Sequence, residues 1–324
     1  MTAPGRTCPL SYRYAPESLR RAPELAVESL WIAGGLYGNP FALESLLALY
    51  ERERGTKALV FNGDFHWFDA RTDVFDQINR KVLGFAALRG NIEAELATPV
   101  ADAGCGCAYP DWVDDGTVER SNEIIERLRA AAGDARALAA LPMHLVARVG
   151  EARVAIVHGD FESLAGWGFS QETLSSSQGR LAAHEAFDRA QADIFASSHT
   201  CLPVLQRFGE SRAIVNNGSA GMPNFRGELY GVVTRISTFE SSDAIYSMSI
   251  SGVFIEAIAL RYDEAAWEKR FLEWWPAGSP AHRSYYGRIT NGPSYVVGQA
   301  LRQDLLRDER RQAERGKRAE HAGR

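Results

Sequence analysis

Short apolar runs alternate along the chain with segments whose apolar residues recur at helical spacing. The runs at 29–33 and 57–61 are typical of buried strands. The segment 41–52 carries its apolar residues on one face of a helix, with Asn39 as its N-cap and Pro40 in its first turn. The same alternation predicts a helix, a short strand and the start of another helix at 73–83, 84–88 and 92–96. Because short connections join these elements, the pattern predicts an α/β fold built on a largely parallel, doubly wound sheet.

Antiparallel patterns dominate the second half of the chain. Residues 144–149 and 153–157 flank Gly150-Glu151 and predict a hairpin, and alternating runs at 230–236 and 245–262 are typical of the far edge of a sheet. The other elements predicted are helices at 116–132, 179–192, 264–275 and 294–318, and strands at 193–196 and 212–215. The domain boundaries that follow are an irregular lead-in at 1–24, a main domain at 25–275 with an insertion at about 98–140, and a helical extension at 276–324.

The composition is that of a globular protein able to bury a sizeable core, with 324 residues of which 45% are hydrophobic and 24% charged. A net charge of −5 creates no overall field that would attract nucleic acid. Residues 1–21 lack the apolar core of a signal peptide and no later run is apolar enough to span a membrane, so we expect a cytoplasmic protein without membrane contacts. In a reducing compartment the cysteines are expected to be thiols or metal ligands, namely Cys8, Cys105, Cys107 and Cys201.

Several predicted strands end in a glycine next to a side chain that can bind a metal. These pairs are Gly63-Asp64, Gly90-Asn91, His158-Gly159 and Ser198-His199. Glycine lets the backbone turn closely, and strands that end at one edge of a sheet hold such ligands rigidly. The sequence therefore predicts a metal site with Asp64 at its centre.

Taken in order, the motifs resemble those of the calcineurin-like metallophosphoesterases, in particular their compact phosphodiesterase branch. The matching segments lie within residues 30–262 and are Gly35-Leu36-Tyr37-Gly38-Asn39, Gly63-Asp64, Gly90-Asn91-Ile92-Glu93, His158-Gly159, Ser198-His199-Thr200-Cys201 and Asn217-Gly218-Ser219. The resemblance implies a four-layer α-β-β-α sandwich in which helices flank two mixed sheets, and it implies hydrolysis of phosphoesters.

The resemblance also implies that one of the family's two metal sites is retained. Family members bind the second metal through a shared Asp, an Asn and two His, which match Asp64, Asn91, His158 and His199. Two imidazoles, one carboxylate and one amide oxygen suit a divalent transition metal such as Mn, Zn or Fe. We expect one such ion per chain.

The first metal site of the family is largely absent here. Its Asp and His, and the final His of the later motif, match Gly35, Tyr37 and Cys201, so two ligands are lost and Cys201 is a further candidate ligand. Tyr37 either fills the vacated volume, which is the favoured interpretation, or binds an anionic substrate together with Asn39. The family His that contacts the scissile phosphate matches Ile92, which cannot transfer a proton.

Residues that follow Asp64 could compensate for these losses. His66 could be a replacement ligand or a proton donor, which gives a candidate catalytic set of Asp64, His66 and His158. The alternative is a loop histidine among aromatic residues, hydrogen-bonded to the backbone. Asp69 is expected to order the loop.

The Cys105-Gly106-Cys107 segment is a second candidate for chemistry. The two sulfurs would point the same way in an extended chain, and with Cys201 they could form a soft thiolate metal site or a redox pair. The alternative is that they are small buried hydrophobic residues in a Gly-rich turn.

Three functions are therefore in competition. The favoured hypothesis is a metal-dependent hydrolase that acts on a phosphate ester or a related small anionic substrate. The alternatives are a catalytically inactive binding scaffold, similar to the retromer subunit built on a degenerate phosphoesterase domain, and a site repurposed for thiol or metal chemistry. The charged C-terminal helix could bind a protein partner or a second copy of the chain.

Overall fold

The computed structural model of the protein describes residues 4–133 and 135–302. Within these residues two β-sheets pack face to face, and helices cover the outer face of each sheet. The layers therefore follow in the order α-β-β-α, which confirms the sandwich that the motifs implied.

The strands alternate with helices along most of the chain. The strands are β1 Leu25–Val27, β2 Ser29–Ala33, β3 Lys57–Asn62, β4 Ala86–Leu88, β5 His144–Val149, β6 Ala152–Val157, β7 Ile194–Ser197, β8 Pro203–Phe208, β9 Arg212–Asn217, β10 Gly231–Ser237, β11 Ala244–Ile250, β12 Val253–Leu260 and β13 Leu301–Arg302. The helices are α1 Pro40–Glu51, α2 Thr72–Val82, α3 Asn91–Ala97, α4 Asp115–Ala131, α5 Gln171–Ser175, α6 Ser177–Ala190, α7 Glu264–Trp274, α8 Pro280–Asn291 and α9 Val297–Ala300. Short 3₁₀ turns occur at Leu10–Tyr12, Pro16–Arg20 and Arg136–Ala140.

Both sheets mix parallel and antiparallel neighbours. One sheet has the order β11-β12-β10-β2-β3-β4, in which β2, β3 and β4 are parallel and β10 is antiparallel to β2 and β12. The other has the order β1-β5-β6-β7-β9-β8-β13, with a parallel centre of β6, β7 and β9. The prediction of one doubly wound, largely parallel sheet is therefore wrong, because the hairpins β5-β6, β8-β9 and β11-β12, together with β10, add antiparallel strands.

Alternation along the strands divides the core into layers. In β2, Leu30 and Ile32 belong to the core between the sheets, whereas Trp31 and Ala33 face the core beneath the helices. Helices α1, α2, α3, α4 and α7 cover this outer face of the six-stranded sheet, and α5 and α6 cover the seven-stranded sheet with Phe187 and its neighbours. Two buried faces on most strands explain why the strand runs are continuously apolar.

Most elements predicted from the pattern agree with the structure to within two residues. The strands β1 and β8 and the helices α5 and α8 had no counterpart in the prediction. Helix α8 was missed because the pattern from residue 276 onward is dominated by Gly and Pro. The C-terminal helix predicted at 294–318 is wrong at its start, since helix α9 covers only Val297–Ala300 and Leu301–Arg302 pair with β8 as β13. The rest of that prediction lies outside the described residues.

The parallel strands deliver their carboxyl ends to one edge of the sandwich. The loops after β3, β6 and β7 meet there with the start of α3, which follows β4. Gly63 has φ +78, and a Cβ on it would lie 2.6 Å from both the Gly90 nitrogen and His158 Nδ1. A side chain at this position would push the two sheets apart, so the glycine is what allows their edges to meet. Within the described part of the chain, no helix combines the length and apolar composition needed to cross a bilayer.

Candidate metal centre

Four side chains from four different strand ends converge on one point. His158 Nε2 lies 3.3 Å from Asp64 Oδ2, 3.2 Å from Asn91 Oδ1 and 3.2 Å from His199 Nδ1. All four residues are buried. Asp64, His158 and His199 also form the group of His, Cys, Asp and Glu residues, among those described, whose ligand atoms lie close enough to hold a metal.

The proton on each imidazole is assigned by its backbone partner. A carbonyl oxygen can only accept, so His158 Nδ1–H donates to the carbonyl of Asn62 at 2.8 Å and His199 Nε2–H donates to the carbonyl of Cys107 at 3.1 Å. In the neutral rings this leaves His158 Nε2 and His199 Nδ1 with lone pairs directed inward. A second-shell carbonyl that fixes the tautomer of a histidine is a regular feature of metal ligands.

The amide of Asn91 is oriented in the same way. Its Nδ2 donates to the carbonyl of Cys105 at 3.0 Å, so Oδ1 is the atom that faces His158. The site thus gathers two nitrogen and two oxygen lone pairs with no hydrogen atom directed between them. Such a set favours a positive charge at its centre, either a proton on His158 or a metal ion, and its nitrogen and oxygen ligands suit Zn, Mn or Fe.

The pKa shifts of the two histidines also indicate that the site favours a positive charge. Burial and the neighbouring His158 lower the pKa of His199 to about 4, so His199 is neutral and free to act as a ligand. Burial also lowers the pKa of His158, but the charge of Asp64 and its hydrogen bond outweigh this effect and raise the pKa. Asp64 therefore favours a positive charge at this point, which a divalent ion would supply without a proton.

Glu93 supports the loop that carries Asp64. Its buried carboxylate accepts the backbone N–H groups of Asp64 at 2.7 Å, Phe65 at 3.0 Å, His66 at 3.3 Å and Gly90 at 2.8 Å. Burial, and then the charge of Asp64, raises the pKa of Glu93 to about 7. Sequence reasoning did not assign this role to Glu93, although its position three residues into α3 is where an acidic side chain caps the preceding backbone.

The neighbouring volume, where the motifs place the lost metal site, is occupied by protein. A Cβ on Gly35 would lie 2.9 and 3.0 Å from two ring carbons of Tyr37 and 3.2 Å from its hydroxyl oxygen, so this side chain covers the position from which an Asp side chain would extend. Tyr37 Oη and Cys201 Sγ share a hydrogen bond at 2.7 Å. Burial raises the pKa of both the Tyr37 phenol and the Cys201 thiol, so both remain protonated at neutral pH.

Comparisons with known proteins agree with this architecture. No protein-family model matches the sequence, and no curated protein matches it. Among solved structures, a metallophosphoesterase from Sphaerobacter thermophilus matches with a TM-score of 0.50 and 17% identity, over 82% of this chain and 100% of that one. A hypothetical protein from Pyrococcus horikoshii OT3 matches with a TM-score of 0.54 and 15% identity, over 83% of this chain and 100% of that one. The chain has the metallophosphoesterase fold. Identity at this level shows the fold, and the chemistry must be argued from the residues of the site.

His66 is not part of the candidate metal centre. Its ring is fully buried and stacks on Phe75 at 3.8 Å, with Nδ1 bonded to Asp69 Oδ2 at 2.5 Å and Nε2 to Asn79 Oδ1 at 2.8 Å. Burial lowers the pKa of His66, but the charge of Asp69 and the two hydrogen bonds raise it overall. Both nitrogens are therefore committed away from Asp64, and the prediction of His66 as a replacement ligand or proton donor is wrong.

Asn39 is also engaged elsewhere. Its Oδ1 accepts the backbone N–H groups of Phe41 and Ala42, each at 3.0 Å, and its Nδ2 donates to the carbonyl of Gly221 at 3.0 Å. The predicted N-cap of α1 is confirmed. The prediction that Asn39 binds substrate is wrong, because its polar atoms are buried and already bonded.

Cys105 and Cys107 are joined by a disulfide, so the expectation that they are thiols or metal ligands is wrong. Among the described residues, these two sulfurs and the sulfur of Cys201 do not form a metal-binding group. Cys201 is instead hydrogen-bonded to Tyr37. The disulfide nonetheless lies against the centre, with Cys107 Sγ 3.5 Å from Asn91 Nδ2.

A small pocket of about 40 Å³ opens onto the centre, enough for an ion and one or two waters. It is lined by ligands, by Ile92 and by a wall of aromatic rings, and no described residue in its lining is Lys or Arg. The aromatic residues are Tyr37, Trp67, Tyr109, Trp167 and Tyr285. Tyr285 comes from α8, and Tyr109 from the predicted insertion.

Proposed function

We propose that the protein is a metal-dependent hydrolase of phosphate esters that uses one divalent transition metal. The observation that carries the proposal is the convergence of four inward-facing lone pairs, from Asp64, Asn91, His158 and His199, with each imidazole locked by a backbone carbonyl. When bound, a divalent ion in this position supplies Lewis-acid polarisation and lowers the pKa of water. The Tyr37 ring, packed over Gly35 where the first ion of the fold would need an Asp, supports a single ion.

The pocket favours a phosphodiester over a phosphomonoester. A phosphomonoester carries a second negative charge near neutral pH, and no described Lys or Arg lines the pocket to share it. A diester carries one charge, which the ion would balance, and its substituents would extend from the mouth of the small pocket beside the aromatic residues.

The chain offers little help to a leaving group. The hydrocarbon side chain of Ile92 has no acidic proton to transfer, and its backbone N–H donates to Asp64 Oδ1 at 3.3 Å. The Tyr109 hydroxyl lies in the pocket wall, but burial raises its pKa to about 12. General acid catalysis near pH 7 therefore has no suited donor among the described residues of the wall, and we infer a preference for leaving groups that depart without a proton, such as phenolates.

Metal analysis and a pair of substrates test the proposal. Protein purified without chelator should carry about one transition metal per chain, and with added Mn²⁺ it should hydrolyse bis(4-nitrophenyl) phosphate faster than 4-nitrophenyl phosphate. His199→Ala should lose both the metal and the activity, because it removes a ligand. His282→Ala, a histidine of α8 that does not line the pocket, is the matched control and should retain both.

The alternative is a binding scaffold, and the observation that favours it is the loss of the family histidine at Ile92 together with the filled first site. Folded protein that contains no metal, binds none on titration and is inert toward both esters would establish this alternative and overturn the hydrolase.

A further inference from the structure

Two of the four candidate ligands are held by one short segment, Cys105-Gly106-Cys107. The carbonyl of Cys105 accepts Asn91 Nδ2–H at 3.0 Å, and the carbonyl of Cys107 accepts His199 Nε2–H at 3.1 Å. These contacts aim Asn91 Oδ1 and His199 Nδ1 at the metal position. The two carbonyls at the ends of the segment thus set the orientation of half of the ligand set.

The disulfide ties the two carbonyls to each other. Cys105 and Cys107 are 5.4 Å apart at Cα, and one residue separates them. That residue, Gly106, has φ +67 and lies so close to Tyr12 that a Cβ on it would be 2.6 Å from Tyr12 Oη. A cross-link over so few residues removes most of the torsional freedom of the segment. Breaking it would let the two carbonyls move independently.

The rest of the segment is anchored in the pocket wall. The indole N–H of Trp167 donates to the same carbonyl of Cys107 at 3.0 Å, and Cys107 contributes to the pocket lining. A single hydrogen bond therefore joins each disulfide-linked cysteine to a candidate ligand, so a movement of either carbonyl would move that ligand. Disulfides in reducing compartments, such as the one expected for this chain, are usually transient and redox-active.

We propose that the Cys105–Cys107 disulfide is a positioning element for the metal centre, and that its reduction lowers the affinity for the metal. The inference rests on the proposed metal site but not on the identity of the substrate. The reductant of the disulfide would be a small dithiol. Its two S–H groups are oxidised to a disulfide, the Cys105–Cys107 S–S bond is broken, and each cysteine sulfur takes up one proton. The ligand atoms keep their protonation, and what changes is the position of the two carbonyls.

The test compares Mn²⁺ binding by the oxidised and reduced protein. Metal-free protein is reduced with a dithiol, freed of reductant without air, and titrated with Mn²⁺ by calorimetry beside the oxidised form. Alkylation and mass spectrometry of the peptide confirm two added groups after reduction and none before. Reduction should weaken Mn²⁺ binding by about 10- to 100-fold, the range seen when outer-shell partners of metal ligands are lost. Reoxidation should restore the original affinity, which a merely structural loss would not do.

Variants separate this disulfide from the other cysteines. Cys105→Ser with Cys107→Ser should bind Mn²⁺ like the reduced protein and should not respond to dithiol, whereas Cys8→Ser should respond like the wild type. The wild-type cycle of reduction and reoxidation remains decisive even where the double variant does not fold. Equal Mn²⁺ affinity in both redox states would overturn the positioning role while leaving the metal site intact. Absence of Mn²⁺ binding in either state would overturn the metal site and this inference with it.

Discussion

The site around Asp64 has two halves that are built in opposite ways. The retained half holds His158 and His199, and the vacated half holds Tyr37 and Cys201. In the retained half, His158 and His199 each donate one proton to a backbone carbonyl and direct the other nitrogen inward. In the vacated half, Tyr37 and Cys201 bond to each other and keep their protons. Lone pairs converge in one half and hydrogen-bond donors in the other.

The difference shows how a fold can lose the ligands of one metal site and keep the side chains of the neighbouring site. Facing lone pairs need a positive charge between them, from a proton on His158 or from a metal ion, whereas the Tyr37–Cys201 pair is satisfied by its own hydrogen bond. The Tyr37 ring also replaces the volume of an ion and its ligands with packed protein. The chain therefore presents one group of side chains that could hold an ion and one neighbouring volume that is filled by protein.

The largest effect is expected where a side chain is forced back into the vacated half. Gly35→Asp adds a Cβ that meets the Tyr37 ring at 2.9 Å, at a residue with φ +63. Overpacking and the left-handed backbone together should cost about 3 kcal/mol in the free energy of unfolding, measured by urea denaturation.

Gly252→Asp is the matched control for Gly35→Asp. Gly252 has φ +79, and a Cβ there meets nothing within 4 Å, so only the backbone cost of about 1 kcal/mol is expected. Equal losses in the two variants would mean that the Tyr37 ring does not fill the vacated volume, and the contrast between the two halves would fail.

How far the sequence predicts this site depends on the range of the interactions. Asp64, Asn91, His158 and His199 each follow an apolar run within three residues, so local pattern and motif order predicted that they lie together. Helix α8 contributes Tyr285 to the pocket from a segment rich in Gly and Pro, where no local pattern announced a helix. Contacts between distant segments leave no periodic signal in either partner.

His66 shows how nearness in sequence misleads. It follows Asp64 by two residues, but Asp64 has φ 52, and the ring of His66 lies between Asp69 and Asn79 beneath α2. Glu93 shows the reverse case, since it is remote in sequence from Asp64 and yet accepts its backbone N–H. In both cases the course of the backbone determines which residues the side chain contacts, and that course cannot be predicted from the residue type alone.

The protonation state of Cys201 gives a second test of the difference between the two halves of the site. Burial raises the pKa of this thiol, while the charge of Arg288 and the hydrogen bond from Tyr37 act against the shift. The thiolate is the nucleophile, and its fraction rises tenfold per pH unit below the pKa. Iodoacetamide labelling of Cys201, followed by peptide mass spectrometry, should therefore be slow at pH 7.5 and should still be increasing at pH 9.

Labelling of Cys201 that reaches a plateau below pH 8 would contradict this prediction, because it would reveal a thiolate at neutral pH. A thiolate in that position could bind a cation, and the vacated half would then be a second metal site. Cys8 in the same digest reports whether the reagent remains active at each pH.

The smallest effect is expected for Cys201→Ser. Serine retains a hydroxyl that can bond to Tyr37 Oη, and the sulfur it replaces contributes no lone pair to the group formed by Asp64, His158 and His199. The affinity for Mn²⁺, measured by calorimetry, should therefore change by less than about twofold, against the 10- to 100-fold that follows from the loss of even an outer-shell partner. A loss of tenfold or more in Cys201→Ser, with unchanged unfolding free energy, would place the sulfur in the metal's coordination and make the two halves of the site one.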